Sequence, residues 1–108
     1  MKIEKYLVVT PLAIAKWIGK VVAGIYGVKM ASVPAEKKVL ALGDRMCAYY
    51  KGVFVRVERN VPQVEIYVKL DPKMPVGEIV RNIRSAAIFT LEERMHIPKY
   101  QLDVKYQP

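Results

Sequence analysis

The sequence contains one cysteine and one histidine, and this scarcity limits the chemistry that a single chain can perform. Cys47 has no second cysteine with which to form an intrachain disulfide, which is typical of a protein from a reducing compartment. Cys47 and His96 together cannot supply the set of Cys and His ligands that a structural zinc site requires. We therefore expect neither a metal ion nor another cofactor.

Long apolar runs are also missing. No stretch approaches the roughly 20 apolar residues that a membrane-spanning helix requires. The apolar segment 6–15 follows two lysines and superficially resembles a secretion signal. However, Thr10-Pro11 interrupts this segment, and cleavage after Ala15 would remove a predicted strand and half a predicted helix. We therefore expect a cytoplasmic protein.

The composition is that of a globular protein: 53% of the 108 residues are hydrophobic and 26% are charged. This length suits one domain over residues 1–108. The net charge of +8 is unevenly distributed, because residues 1–59 hold eleven Lys or Arg and four Asp or Glu, whereas residues 60–108 hold seven and six. The basic amino-terminal half would favour nucleic acid, anionic lipid or an acidic partner.

The amino-terminal third predicts a strand followed by helices. Residues Ile3 to Val9 are typical of a strand, and Thr10-Pro11 is a favourable helix start because threonine caps and proline suits the first turn. An amphipathic helix is predicted from Leu12 to Tyr26. A shorter helix is predicted from Ala35 to Leu42, with Val39 and Leu42 directed inward. It ends at Gly43-Asp44 or, alternatively, continues to Gly52.

The remaining residues predict a hairpin, a long helix and a last strand. Apolar residues alternate over 53–59 and 63–70, with a turn at Asn60-Val61-Pro62. A helix from Val76 to about Met95 has a core stripe of Val76, Ile79, Val80, Ile83, Ala87 and Leu91, and residues 100–106 alternate again. This order predicts an α+β fold, a two-layer sandwich in which two main helices cover one face of a small, mostly antiparallel sheet.

Catalytic candidates are few. His96 follows a helix without a neighbouring nucleophile or carboxylate motif, so a capping or solvated role is favoured. Cys47 lies among apolar residues and is more typical of a small core residue than of a nucleophile. Glu92 and Glu93 are adjacent on a helix and point in different directions. We therefore assign no catalytic residue and expect no enzymatic activity.

Two apolar residues of the long helix, Ile88 and Phe89, lie outside its core stripe. They indicate a contact surface for self-association, which Tyr67 on the outer side of the hairpin could extend. The alternative is that the buried arc of this helix is wider than the stripe.

A nucleic-acid interface is the alternative function. The segment Lys51-Gly52-Val53-Phe54-Val55-Arg56-Val57 resembles the first RNP motif of RNA-recognition domains, and Phe54, Arg56 and Tyr67 could face the nucleic acid. The aromatic stacking positions of that motif are, however, Val53 and Val55 here. Gly24-Ile25-Tyr26-Gly27 matches the GXXG loop of KH domains in spacing, but helix termination is favoured because its middle residues are uncharged.

Five segments taken together resemble the alkaline-shock-protein family, the general-stress and envelope-homeostasis proteins of Gram-positive bacteria. The segments are the helix 14–25 with Tyr26-Gly27-Val28, the strand entry Lys51-Gly52-Val53, Val64-Glu65-Ile66-Tyr67-Val68, the run Met74-Pro75-Val76-Gly77-Glu78-Ile79-Val80-Arg81-Asn82-Ile83, and Leu102-Asp103-Val104. The resemblance implies a cytoplasmic, self-associating α+β domain without catalytic residues, held in some members at the membrane by a separate anchor protein. We thus expect a non-enzymatic stress-response protein that forms homo-oligomers.

Overall fold

The computed structural model describes residues 9–107, which contain three α-helices and five β-strands. In chain order they are α1 (Pro11–Ala23), β1 (Val28–Met30), α2 (Ala35–Gly43), β2 (Cys47–Tyr50), β3 (Val53–Glu58), β4 (Val61–Leu70), α3 (Val76–Phe89) and β5 (Gln101–Gln107). The predicted α+β class is confirmed. The predicted first strand, Ile3 to Val9, lies outside the described residues except for Val9.

β4 is the central strand of the sheet. β3 and β1 lie one after the other along one edge of β4, both antiparallel to it, and β5 lies parallel along the opposite edge. β2 extends the sheet on the outer side of β3, again antiparallel. The sheet is therefore mostly antiparallel, as the alternation of residues 53–59 and 63–70 predicted.

α1 and α3 cover one face of this sheet. Thr10 caps α1 as predicted, since its Oγ1 accepts a hydrogen bond of 3.1 Å from the amide of Ala13. The main core is formed by one stripe from each helix and by alternate strand residues, which include Ile14, Ile18, Val22, Val53, Val55, Val64, Ile66, Val68, Ile79, Ile83, Ala87 and Leu91. The prediction of two main helices on one face is confirmed.

α2 lies on the opposite face of the sheet, over a second and smaller core formed by Val33, Cys47 and Phe54. The prediction that Val39 and Leu42 point inward is wrong, because 66% and 85% of these residues are exposed. The nine-residue helix covers only one corner of the sheet. The side that faces the sheet includes Ala41, not Val39 and Leu42.

Residues 47–50 form β2, which the sequence did not predict. α2 ends at Gly43, so the alternative of a helix continuing to Gly52 is wrong. Asp44 starts a tight turn because its Oδ1 accepts a hydrogen bond of 2.9 Å from the amide of Met46. The chain is thereby directed into the strand before it can continue as a helix.

Two further boundaries differ from the prediction. The turn between β3 and β4 consists of Arg59 and Asn60, with φ of 52° and 65°, and Pro62 belongs to β4. The predicted helix from Val76 to about Met95 consists of α3 and a wider π-helical turn, Thr90–Arg94, that continues it. The helical segment ends before His96, which has φ of 57°. At its start, Val76 is exposed and does not belong to the core stripe.

Candidate interaction surfaces

α2 is attached to the sheet by few contacts. None of its residues is fully buried. Lys37 forms a salt bridge of 3.4 Å between its Nζ and Oε2 of Glu65, and the same ammonium lies 5.1 Å from the ring centroid of Phe54. The hydroxyl of Tyr67 donates a hydrogen bond of 2.6 Å to the other oxygen of Glu65. One small core, the Lys37–Glu65 salt bridge and the contacts of Lys37 and Lys38 with the rings of Phe54 and Tyr49 thus position this helix.

The solvent side of α2 carries an apolar surface that we call the α2 patch, defined by Val39 and Leu42. Val39 and Leu42 are three residues apart and therefore neighbours on the helix. Leu12, which is exposed at the start of α1, lines a shallow depression together with Leu42 and Arg45. Contiguous exposed apolar residues are typical of contact surfaces. The sequence prediction missed this surface because it directed Val39 and Leu42 inward.

The three residues predicted for self-association do not form one surface. Phe89 is 52% exposed, and the Cζ atom of Arg94 lies 5.7 Å from its ring centroid. Ile88 is only half-buried, so the buried arc of α3 includes part of it. Tyr67 belongs to the second core on the opposite face of the sheet. Phe89 is therefore the most accessible of the three.

The residues of the nucleic-acid alternative do share one face of the sheet. In the register of β3 and β4, Phe54 lies opposite Glu65 and Arg56 lies opposite Gln63, with Tyr67 further along β4. However, Phe54 is only 2% exposed beneath α2, so the expectation that its ring is free to stack on a base is wrong. Alternation alone placed Phe54 on an open face, and α2 covers the part of that face where Phe54 lies.

Tyr67 and Glu65 form a hydrogen-bonded pair on this face. Burial raises the pKa of Tyr67 well above its usual range, and the hydrogen bond to Glu65 and the charge of that carboxylate raise it further. The phenol is therefore held protonated as a donor. This arrangement orients Glu65 toward Lys37 and serves to attach α2.

The residues considered as catalytic candidates, Cys47, His96 and Glu92, do not form one site. The thiol of Cys47 donates a weak hydrogen bond of 3.6 Å to Oδ2 of Asp44, and burial, followed by the charge of Asp44, raises the pKa of the thiol. His96 is exposed at the end of the long helix. Glu92 accepts a hydrogen bond from the hydroxyl of Tyr100. The structure thus brings neither Cys47 nor His96 into a nucleophile–base pair.

Within residues 9–107, no three His, Cys, Asp or Glu side chains lie close enough together to hold a metal ion. The same part of the chain has no helix with both the length and the apolar character needed to cross a bilayer.

Comparison of the chain with protein-family models, with curated proteins and with solved structures finds no match in any of the three. The resemblance to alkaline-shock proteins therefore stays a prediction from the sequence.

Proposed function

We propose that this chain is a non-enzymatic protein of the stress response and of cell-envelope homeostasis, which acts by self-association and by binding other proteins. The observation that carries this proposal is the α2 patch: a helix without a fully buried residue places Val39 and Leu42 in solvent. The sequence resemblance supports the biological setting.

Self-association through the α2 patch would be reversible. In a symmetric dimer each copy contributes the same surface, so Val39 and Leu42 would be buried twice. Each such side chain gains about 1.5–3 kcal/mol on burial, which sums to about 6–12 kcal/mol. Association itself costs about 4–15 kcal/mol. The two terms are similar in size, so we expect an equilibrium that depends on concentration.

Phe89 offers a smaller surface. The guanidinium of Arg94 already lies beside the ring of Phe89. The adjacent residue Ile88 is half-buried and adds little exposed apolar area. One exposed aromatic ring provides less apolar area than the α2 patch. We therefore place the contact between copies at α2. A partner protein, such as the membrane anchor that the resemblance implies, would compete for the same surface.

Sedimentation velocity over a range of concentrations tests this proposal. The wild-type chain should shift toward dimers or larger species as concentration rises, and the double variant with Val39→Glu and Leu42→Glu should stay monomeric. Phe89→Glu is the control, since it places one acidic charge on an exposed apolar residue outside the α2 patch, and it should associate like the wild type. Circular dichroism confirms that each variant is folded.

A wild-type chain that stays monomeric at every concentration would overturn self-association. Association that Phe89→Glu abolishes and the α2 variant retains would place the contact on α3.

A further inference from the structure

The outer side of α1 combines positive charge with exposed apolar and aromatic residues. We call it the α1 outer face and define it by Leu12, Lys16, Trp17 and Lys20, all of which are exposed. At 3.6 residues per turn, Lys20 lies at the centre of the exposed arc. Leu12 and Lys16 lie on one side of Lys20, and Trp17 lies on the other.

No negative charge from α1 itself offsets these cations. Residues 9–35 contain Lys16, Lys20 and Lys29 but neither Asp nor Glu. Among the described residues, Lys16 and Lys20 form no salt bridge. Lys16 and Lys20 therefore give the α1 outer face a positive charge that no acidic residue of α1 offsets.

Lys51, in the turn that follows β2, adds a further cation beside this helix. The ring of Tyr50 packs against α1 at Gly19, where a Cβ atom would lie 3.2 Å from Cδ2 of the ring. The Nζ atoms of Lys16 and Lys51 lie 6.0 and 5.7 Å from the centroid of this same ring. Two ammonium groups, one from α1 and one from the turn after β2, thus lie beside the same ring, which favours an anionic partner.

We propose that the α1 outer face docks on an anionic lipid bilayer. Lysines gain free energy near anionic headgroups, tryptophan prefers the boundary between headgroups and acyl chains, and a leucine can enter the apolar layer. This docking goes beyond the proposed function and does not rest on self-association.

A single-stranded nucleic acid fits this face less well. Such strands are bound in grooves with several accessible rings on which bases stack. Here the ring of Tyr50 packs on Gly19 and Phe54 is buried beneath α2. Within α1, Trp17 is the one aromatic residue.

Trp17 provides a direct probe because it is the only tryptophan of the chain. The full-length protein is titrated with vesicles of phosphatidylcholine alone and with vesicles that also contain phosphatidylglycerol. We expect binding to the phosphatidylglycerol vesicles only, a shift of Trp17 emission to shorter wavelength, and loss of binding as salt screens the charges.

Charge variants locate the contact. The double variant Lys16→Gln, Lys20→Gln should bind the anionic vesicles about 25-fold more weakly, since each lysine near such a surface contributes about fivefold. The matched control Lys69→Gln, Lys99→Gln removes the same charge from exposed positions outside α1 and should bind nearly as well as the wild type.

Three results would overturn the proposal: no binding to the anionic vesicles at low salt, binding without a change in Trp17 emission, or an equal loss of affinity in both double variants. Tighter binding to single-stranded RNA than to the vesicles, lost in the Lys16→Gln, Lys20→Gln variant, would also overturn it and assign this face to nucleic acid.

Discussion

The amide of Tyr67 donates a hydrogen bond of 2.8 Å to the carbonyl oxygen of Gly52, at the point where β1, β3 and β4 meet. The carbonyl oxygen of Tyr67 accepts a hydrogen bond of 2.9 Å from the amide of Ala31 at the same junction. A Cβ atom on Gly52 would lie 2.6 Å from the carbonyl oxygens of both Ala31 and Tyr67. Only glycine allows these three strands to approach one another so closely.

Gly52→Ala should therefore destabilise the protein by about 3 kcal/mol or more, because backbone atoms must move to accommodate the new methyl group. Urea denaturation measures the free energy of unfolding. Gly77→Ala is the control, since its added Cβ would meet no atom within 4 Å apart from its chain neighbours and the backbone of its own helix. Gly77→Ala should raise the free energy of unfolding by about 0.5–1 kcal/mol. A Gly52→Ala protein as stable as the wild type would contradict the described junction.

Phe54→Ala should cost about 3–5 kcal/mol of folding stability, as is usual when a buried aromatic ring is removed. The second core is small, so α2 should detach first, and loss of its helical signal should precede global unfolding in denaturant. Phe89→Ala, at a half-exposed ring, should change stability by less than about 1 kcal/mol. A stable Phe54→Ala protein with lost affinity for RNA would instead support the nucleic-acid alternative.

Tyr67 should make folding stability decline at alkaline pH. Burial and the hydrogen bond to Glu65 raise the pKa of Tyr67 in the folded protein, whereas a tyrosine in an unfolded chain has a pKa of about 10. The folded state holds this proton more tightly, so the contribution is fully present below pH ~10 and is lost as pH rises above that value. Urea denaturation at neutral pH and at increasing alkaline pH measures the decline.

Tyr67→Phe should make this alkaline decline shallower. Part of the alkaline decline should persist in this variant, because Tyr100 also contributes to it: the hydrogen bond to Glu92 raises the pKa of Tyr100. The exposed Tyr26 provides the matched control, and Tyr26→Phe should leave the decline in place because Tyr67 is intact. An alkaline decline equally steep in Tyr67→Phe and in the wild type would contradict the role assigned to this phenol.

The sequence predicted those elements whose signals are local. Thr10-Pro11 marked the start of α1, and strict alternation marked β3 and β4, because each pattern reflects a single element packed on one side. β2 could not be predicted in this way, since Cys47-Ala48-Tyr49-Tyr50 is as apolar as the continuation of a helix. Its strand conformation depends on pairing with β3.

The candidate surface was predicted only in part. Phe89 was correctly placed outside the core stripe, but the α2 patch was missed because the position of α2 depends on the distant partners Phe54 and Glu65. One local signal was present. Phe54 is a large apolar residue between two inward-facing valines of an alternating strand, and such a ring indicates that the second face of the sheet is also covered.

Amide hydrogen exchange, followed residue by residue at low and at high protein concentration, tests the central claim most directly. α2 has no fully buried residue, so its amides should exchange readily in the monomer. If the α2 patch joins two copies, these amides should exchange more slowly at high concentration, while those around Phe89 should be unaffected. Exchange in α2 that does not change as oligomers form would contradict the account.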